Sequence, residues 1–181
     1  MRIISGILGG RVFTAPTGSE TRPTHDRVRE AVFSMIGPYF NGGRALDLFA
    51  GSGAMGLEAV SRGIDHCVFC DHSRAASRVV SENLRKLGIL SKATVFQSDW
   101  EKCLSSQKEA FDIVFLDPPY DLHLLPAVLK KLFELRLMQP GARIVCEMKA
   151  GDTLEYDVNV YHLDTLRKYG LAQIAVLTVR N

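Results

Sequence analysis

The chain of 181 residues contains no stretch approaching the roughly 18 consecutive apolar residues that a membrane span requires. Its opening, Arg2-Ile3-Ile4 running into a Gly9-Gly10 turn, lacks the build of a signal peptide, so the cytoplasm is the expected compartment. Internal repeats and low-complexity linkers are also missing, which excludes solenoids and tethered arrays. At this length one domain that buries about 70% of its unfolded surface is expected. Cysteine is scarce, and Cys67, Cys70, Cys103 and Cys146 are too scattered for a disulfide framework. Cys67 and Cys70 form a C-x-x-C, but they lie in the strand-like run His66–Cys70, where an odd offset sends them to opposite faces. Neither redox chemistry nor a metal is expected there, and His66 and His72 lack partners at metal-ligand spacing. Strong charge is absent too. The net charge of +2 excludes a uniformly basic nucleic-acid binder, so any such surface must be local. Residues 1–44 hold six arginines against three acids, which leaves the remainder near neutral.

The chemistry resides in two segments. In the first, Leu46-Asp47-Leu48-Phe49-Ala50-Gly51-Ser52-Gly53-Ala54-Met55-Gly56, the glycines 51, 53 and 56 follow an apolar run and open a helical pattern. That is the G-x-G-x-x-G fingerprint, and Asp71 falls about 20 residues on, at the end of the next strand-like run. A literal reading gives a dinucleotide site. Asp47 opposes it, because a carboxylate beside the glycine loop repels a pyrophosphate and attracts a cation. S-adenosylmethionine carries a sulfonium and an ammonium without phosphate, and Asp71 suits its ribose diol. Asp99, after the third strand-like run, suits the adenine amino group, with Trp100 or a neighbouring apolar side chain against the ring. Phe49, Gly51, Ser52 and Gly53 complete the expected cofactor contacts.

The second segment is Asp117-Pro118-Pro119-Tyr120, directly after the apolar run Phe111–Leu116. Proline has no N–H and a fixed φ, so Pro118 and Pro119 present carbonyls in a stiff frame beside the carboxylate of Asp117. Acceptors of this kind suit an exocyclic amino group, whose nitrogen must turn pyramidal and gain positive charge as it attacks a methyl. Tyr120 then stacks on a base taken out of its own stack. The same residues also serve a blander purpose, a strand stop with Tyr120 in the core.

Strand-like runs at 44–48, 66–70, 93–97, 111–116 and 142–148 alternate with helical patterns near 54–62, 73–87 and 122–137. Alternation of this kind predicts an α/β fold with a mostly parallel sheet covered on both faces. Two final runs, Val158–Leu166 and Leu171–Val179, meet at a Tyr169-Gly170 turn, and the last is apolar without alternation, as for a strand buried on both faces. Leu125, Val128, Leu129, Leu132 and Phe133 are expected to face the sheet. Ahead of the core, a hairpin over residues 2–16 and a helix capped by Thr24 are expected. No apolar surplus calls for a subunit interface, so a monomer is expected.

The chain resembles the class I S-adenosylmethionine-dependent methyltransferases and, within them, the RsmD family. The resemblance runs nearly end to end, through Arg22-Pro23-Thr24-His25-Asp26-Arg27-Val28-Arg29-Glu30-Ala31-Val32-Phe33, the glycine loop, Asp117-Pro118-Pro119-Tyr120 and Arg167-Lys168-Tyr169-Gly170. It implies a Rossmann-like, seven-stranded sheet with an antiparallel last strand, a core over 44–181 and an N-terminal hairpin-and-helix extension over 1–43. It implies methyl transfer to the N2 amino group of a guanine in 16S ribosomal RNA, with an assembled or partly assembled 30S subunit as partner. Asp71 stands where many relatives have glutamate; it has a slightly shorter reach and the same capacity for a diol. The basic extension is the expected RNA contact, through Arg11, Arg22 and Arg27. The competing readings are a DNA adenine-N6 methyltransferase, which uses the same tetrapeptide, a nicotinamide-dependent oxidoreductase, which Asp47 opposes, and a non-catalytic RNA-binding assembly factor that keeps the fold.

Overall fold

The computed structural model describes residues 1–15 and 23–180. Among these, seven strands form one sheet in the order β3-β2-β1-β4-β5-β7-β6. They are β1 (Arg44–Asp47), β2 (His66–Asp71), β3 (Ala93–Gln97), β4 (Phe111–Leu116), β5 (Met138–Lys149), β6 (Tyr161–Tyr169) and β7 (Ala172–Val179). The first five pair in parallel, and β7 is inserted antiparallel between β5 and β6. Sequence order reverses between β1 and β4, which places the switch point of the sheet beside both chemical segments. The helices are α1 (Pro23–Ile36), α2 (Ala54–Ser61), α3 (Arg74–Leu87), α4 (Trp100–Ser106) and α5 (Leu125–Glu134).

Alternation along the strands divides the core in two. Ala45, Cys67, Phe69, Ile113, Phe115 and Val145 pack under α1, α2 and α3, while Leu46, Val68, Cys70, Val114, Leu116 and Ile144 pack under α4 and α5. Cys67 and Cys70 thus lie on opposite faces, as their offset requires.

Several expectations need correction. Helix α4 is absent from the sequence reading because seven residues are too few to show a period; Asp99 caps it by accepting from the Lys102 N–H at 2.8 Å. The helix expected over 122–137 is split into a 3₁₀ turn at Tyr120–Leu122 and α5, with His123 at φ 45° in the left-handed region between them. Phe133 is 56% exposed and not core. Thr24 lies inside α1, which begins at Pro23. The expected N-terminal hairpin is reduced to a loop closed by one antiparallel bridge, Arg2 to Val12.

That loop is nonetheless bound tightly to the sheet. Ile3, Leu8 and Phe13 are buried in the same core as Val32 and Phe33 of α1. Glu58, with no exposure at all, accepts from the N–H groups of Ile4 and Ser5 at 2.8 and 3.0 Å and from Arg62 Nε at 2.8 Å. Asn83 of α3 accepts from the Thr14 N–H and donates to the carbonyls of Thr14 and Ser52, which ties the extension to the glycine loop.

Candidate active site

Parallel strands end on one edge, and this chain places an acid at each of five neighbouring ends. Across the sheet they are Asp99 after β3, Asp71 on β2, Asp47 on β1, Asp117 after β4, and Glu147 near the end of β5. Leu116 is in register with Cys146, so the next residues, Asp117 and Glu147, stand level.

The glycine loop shapes the β1 end. Gly51 has φ 53°, a left-handed conformation, and a Cβ built there would meet nothing within 4 Å, so the backbone leaves open space beside it. Gly56 serves packing instead, since a Cβ would lie 2.3 Å from the Phe69 ring. Asp71 holds the loop: its Oδ2 accepts from the Gly51 N–H and its Oδ1 from the Ser73 N–H, both at 2.8 Å. Each oxygen retains acceptor capacity, which matches the two hydroxyls of a ribose. Asp47 is 5% exposed and accepts from the Gly56 N–H at 3.0 Å. Burial pushes its carboxyl up to about 7, and the charge of Asp71 adds to the rise against the Gly56 hydrogen bond.

Phe49, Asp71, His72 and Asp117-Pro118-Pro119-Tyr120 line a cleft of about 380 Å³. A second cavity of about 270 Å³ shares Pro118, Pro119 and Tyr120 and is closed by Leu124, Glu147 and Leu154 among others. The proline pair and Tyr120 are therefore a wall common to both spaces. Tyr120 donates its hydroxyl to Glu147 Oε1 at 2.8 Å, and burial followed by the charge of Glu147 pushes the phenol upward. Asp117 is exposed at the mouth of the cleft, and among the described residues nothing donates to its carboxylate. Burial behind it, then Glu147, then Asp47, push its carboxyl up to about 8; solvent at the open mouth moderates that push, while the two acids keep its direction upward.

Of the expected cofactor contacts, Phe49 and Asp71 line the larger cleft. Gly51 lies within hydrogen-bond reach of Asp71, Gly53 caps α2 in the left-handed conformation, and Ser52 accepts from Asn83 through its carbonyl. Asp99 and Trp100 stand farther along the edge, where Asp99 caps α4 and Trp100 packs on the α4–α5 side of the core. The sequence reading missed Glu147, because the strand expected over 142–148 treated it as interior. The signal was available: an acid ends the apolar run Ile144-Val145-Cys146, as Asp117 ends β4. It also passed over His72, which faces the larger cleft.

The family described as conserved hypothetical protein 95 matches residues 1–178 of this chain. Ribosomal RNA small subunit methyltransferase D of Escherichia coli is 38% identical over 154 residues, which cover 85% of this chain and 77% of that protein. The chain belongs to the RsmD family. YlbH of Bacillus subtilis, named as a candidate rRNA methyltransferase, is 41% identical over 99% of this chain and 100% of its own length. A solved E. coli structure described as a candidate methyltransferase, yhhF, superposes with a TM-score of 0.87 and 31% identity, covering 99% of this chain and 98% of that one.

The arginines of this RsmD-family extension do not all face outward. Arg29 is 3% exposed, donates to the Arg2 carbonyl and to Asp26, and lies 3.4 Å from Glu58. It is thus a structural ion and must be removed from the basic surface counted in the sequence. Arg44 pairs with Glu109 at 2.9 Å and Arg2 with Asp26 at 3.5 Å. Arg11 and Arg27 are exposed, although Arg11 also donates to the Leu87 carbonyl at 3.0 Å. Arg22 lies outside the described residues.

Proposed function

We propose that this chain methylates the exocyclic N2 of a guanine in small-subunit ribosomal RNA, presented by an assembled or partly assembled 30S particle. Its membership of the RsmD family makes it an S-adenosylmethionine-dependent rRNA methyltransferase; the choice of guanine N2 and of the particle is our reading. The observation that carries it is the wall Pro118-Pro119-Tyr120 shared by two spaces, one edged by Phe49, Asp71 and Asp117, the other a cavity of about 270 Å³ edged by Glu147.

The residues fit the cofactor. Gly51 leaves room for close approach, Asp71 has acceptor capacity for two hydroxyls, and a bound cation would favour the ionised forms of Asp47 and Asp117, whose carboxyls are raised in the free protein. When bound, S-adenosylmethionine supplies an electrophilic methyl on a positively charged sulfur. The chain's own contribution is alignment and charge. Asp117 and the Pro118 carbonyl accept from the two amino hydrogens, which favours the pyramidal nitrogen, while Tyr120 stacks on the base and is held by Glu147. As nitrogen gains carbon it must lose a proton. Asp117, whose carboxyl is raised by burial and by the charges of Glu147 and Asp47, lies beside the amino group and can take it when ionised.

The test offers the enzyme labelled S-adenosylmethionine with unmodified 16S RNA, 30S particles and duplex DNA in parallel, followed by digestion to nucleosides. N2-methylguanosine from the particle is expected. N6-methyladenine from DNA would replace this reading with the adenine one, and particle binding without transfer would make the chain a binder.

A further inference from the structure

Of the five acids on the edge, Glu147 is the one to which the sequence assigned no role. It lies on β5, level with Asp117, and lines the smaller cavity together with Pro118, Pro119 and Tyr120. The two acids are close enough for the charge of Glu147 to raise the Asp117 carboxyl. Oε1 of Glu147 accepts from the Tyr120 hydroxyl at 2.8 Å, and among the described residues Oε2 has no hydrogen-bond partner. A half-buried carboxylate oxygen without a donor, beside the acceptor shelf, is suited to a second N–H of the same ligand.

We propose that Glu147 is a specificity-determining residue that accepts the ring N1–H of guanine while Asp117 and Pro118 hold the adjacent N2 amino group. The inference rests on the guanine-N2 reading above. The chemistry discriminates by pattern: guanine presents N1–H and N2–H₂ as neighbouring donors, whereas adenine presents a bare N1 beside its amino group. Two carboxylates side by side welcome the first pattern and leave a lone pair facing Glu147 in the second. Tyr120 engages Oε1 of Glu147 and so leaves Oε2 for the edge of the base.

The test uses 2,6-diaminopurine, which keeps the N2 amino group and has an unprotonated N1. Wild-type enzyme first maps the methylated guanosine in 30S particles, and 2,6-diaminopurine riboside is then ligated into 16S RNA at that position and rebuilt into particles. Wild type is expected to methylate the diaminopurine particle roughly 10- to 100-fold more slowly than the guanine particle. Glu147→Gln, whose amide can donate to a bare N1 and still accept from Tyr120, should bring that ratio close to one, chiefly by slowing guanine. Tyr120→Phe should slow both particles and keep a preference for guanine. Binding of S-adenosylhomocysteine reports that each variant is folded. An unchanged ratio in folded Glu147→Gln overturns the proposal, as does Tyr120→Phe abolishing the ratio as fully as Glu147→Gln, which would make Glu147 only a brace for the ring. Wild-type enzyme that forms no N2-methylguanosine on the guanine particle sinks the parent reading instead.

Discussion

The two halves of the sheet's carboxyl edge carry the same residue type in opposite states of satisfaction. On the β1–β3 side, Asp47, Asp71 and Asp99 each accept from backbone N–H groups of the chain itself, those of Gly56, Gly51 and Ser73, and Lys102. On the β4–β5 side, Asp117 has no donor among the described residues, and Glu147 has only the Tyr120 hydroxyl. Acids whose positions are fixed by backbone donors make a pocket of constant shape. Acids left without donors await a ligand's N–H groups, and they are costly to crowd together until it arrives. The division matches a cofactor side built in advance and an acceptor side completed by the base.

The sharpest way to break this comparison is on the acceptor side. Asp117→Ala should lower single-turnover methylation on the order of 100-fold or more while cofactor affinity moves little, because its hydrogen bond strengthens as nitrogen becomes positive. Rapid quench at saturating S-adenosylmethionine, with calorimetry for affinity, measures both. On the other side, Asp71→Ala should weaken S-adenosylmethionine and S-adenosylhomocysteine alike, by roughly 10-fold or more, since both keep the ribose and the variant also frees the Gly51 loop. Unchanged affinity in that variant would remove Asp71 from the ribose.

Acidity provides a smaller effect. Asp47 has a carboxyl raised to about 7, so its ionised fraction grows as pH rises through that value. A cation prefers the ionised form. S-adenosylmethionine should therefore bind more tightly from about pH 6 to 8 and release protons on binding, with a shallower dependence for S-adenosylhomocysteine, which lacks the sulfonium. For the free protein the sign is reversed: the raised value means that stability falls as pH climbs from the ordinary carboxylate range, about 4, through 7. Asp47→Asn should flatten both profiles in calorimetric and thermal titrations. The smallest effect is expected at the extension, where Arg11→Glu should weaken particle binding and reduce its salt slope by about one if Arg11 meets a phosphate. Filter binding across a salt series reads it, and an unchanged slope returns Arg11 to its Leu87 contact.

Strand succession and the glycine loop were legible because periodicity and spacing are local. Asp117 was legible because Pro118 and Pro119 mark the end of β4 unmistakably. Glu147 lacked such punctuation: β5 continues to Lys149 and pairs with β7, so its chemical position depends on register with a strand some 30 residues earlier. The charge count of the extension needs one subtraction for a related reason. Arg29 reads as a surface charge in a helix, and only tertiary packing brings it to Glu58. Removing residues 1–15 would strip Ile3, Leu8 and Phe13 from the core, so truncation cannot isolate an RNA-docking role and a point change such as Arg11→Glu is the usable probe.

The division of the edge is tested most directly by a crossed measurement on Asp117→Ala and Asp71→Ala: the dissociation constant for S-adenosylhomocysteine and the single-turnover rate at saturating S-adenosylmethionine, both on the same particles. The account predicts a slow Asp117 variant with near-normal affinity and a weakly binding Asp71 variant whose rate largely recovers at saturation. Two variants in which affinity and rate fall together by similar factors would contradict it.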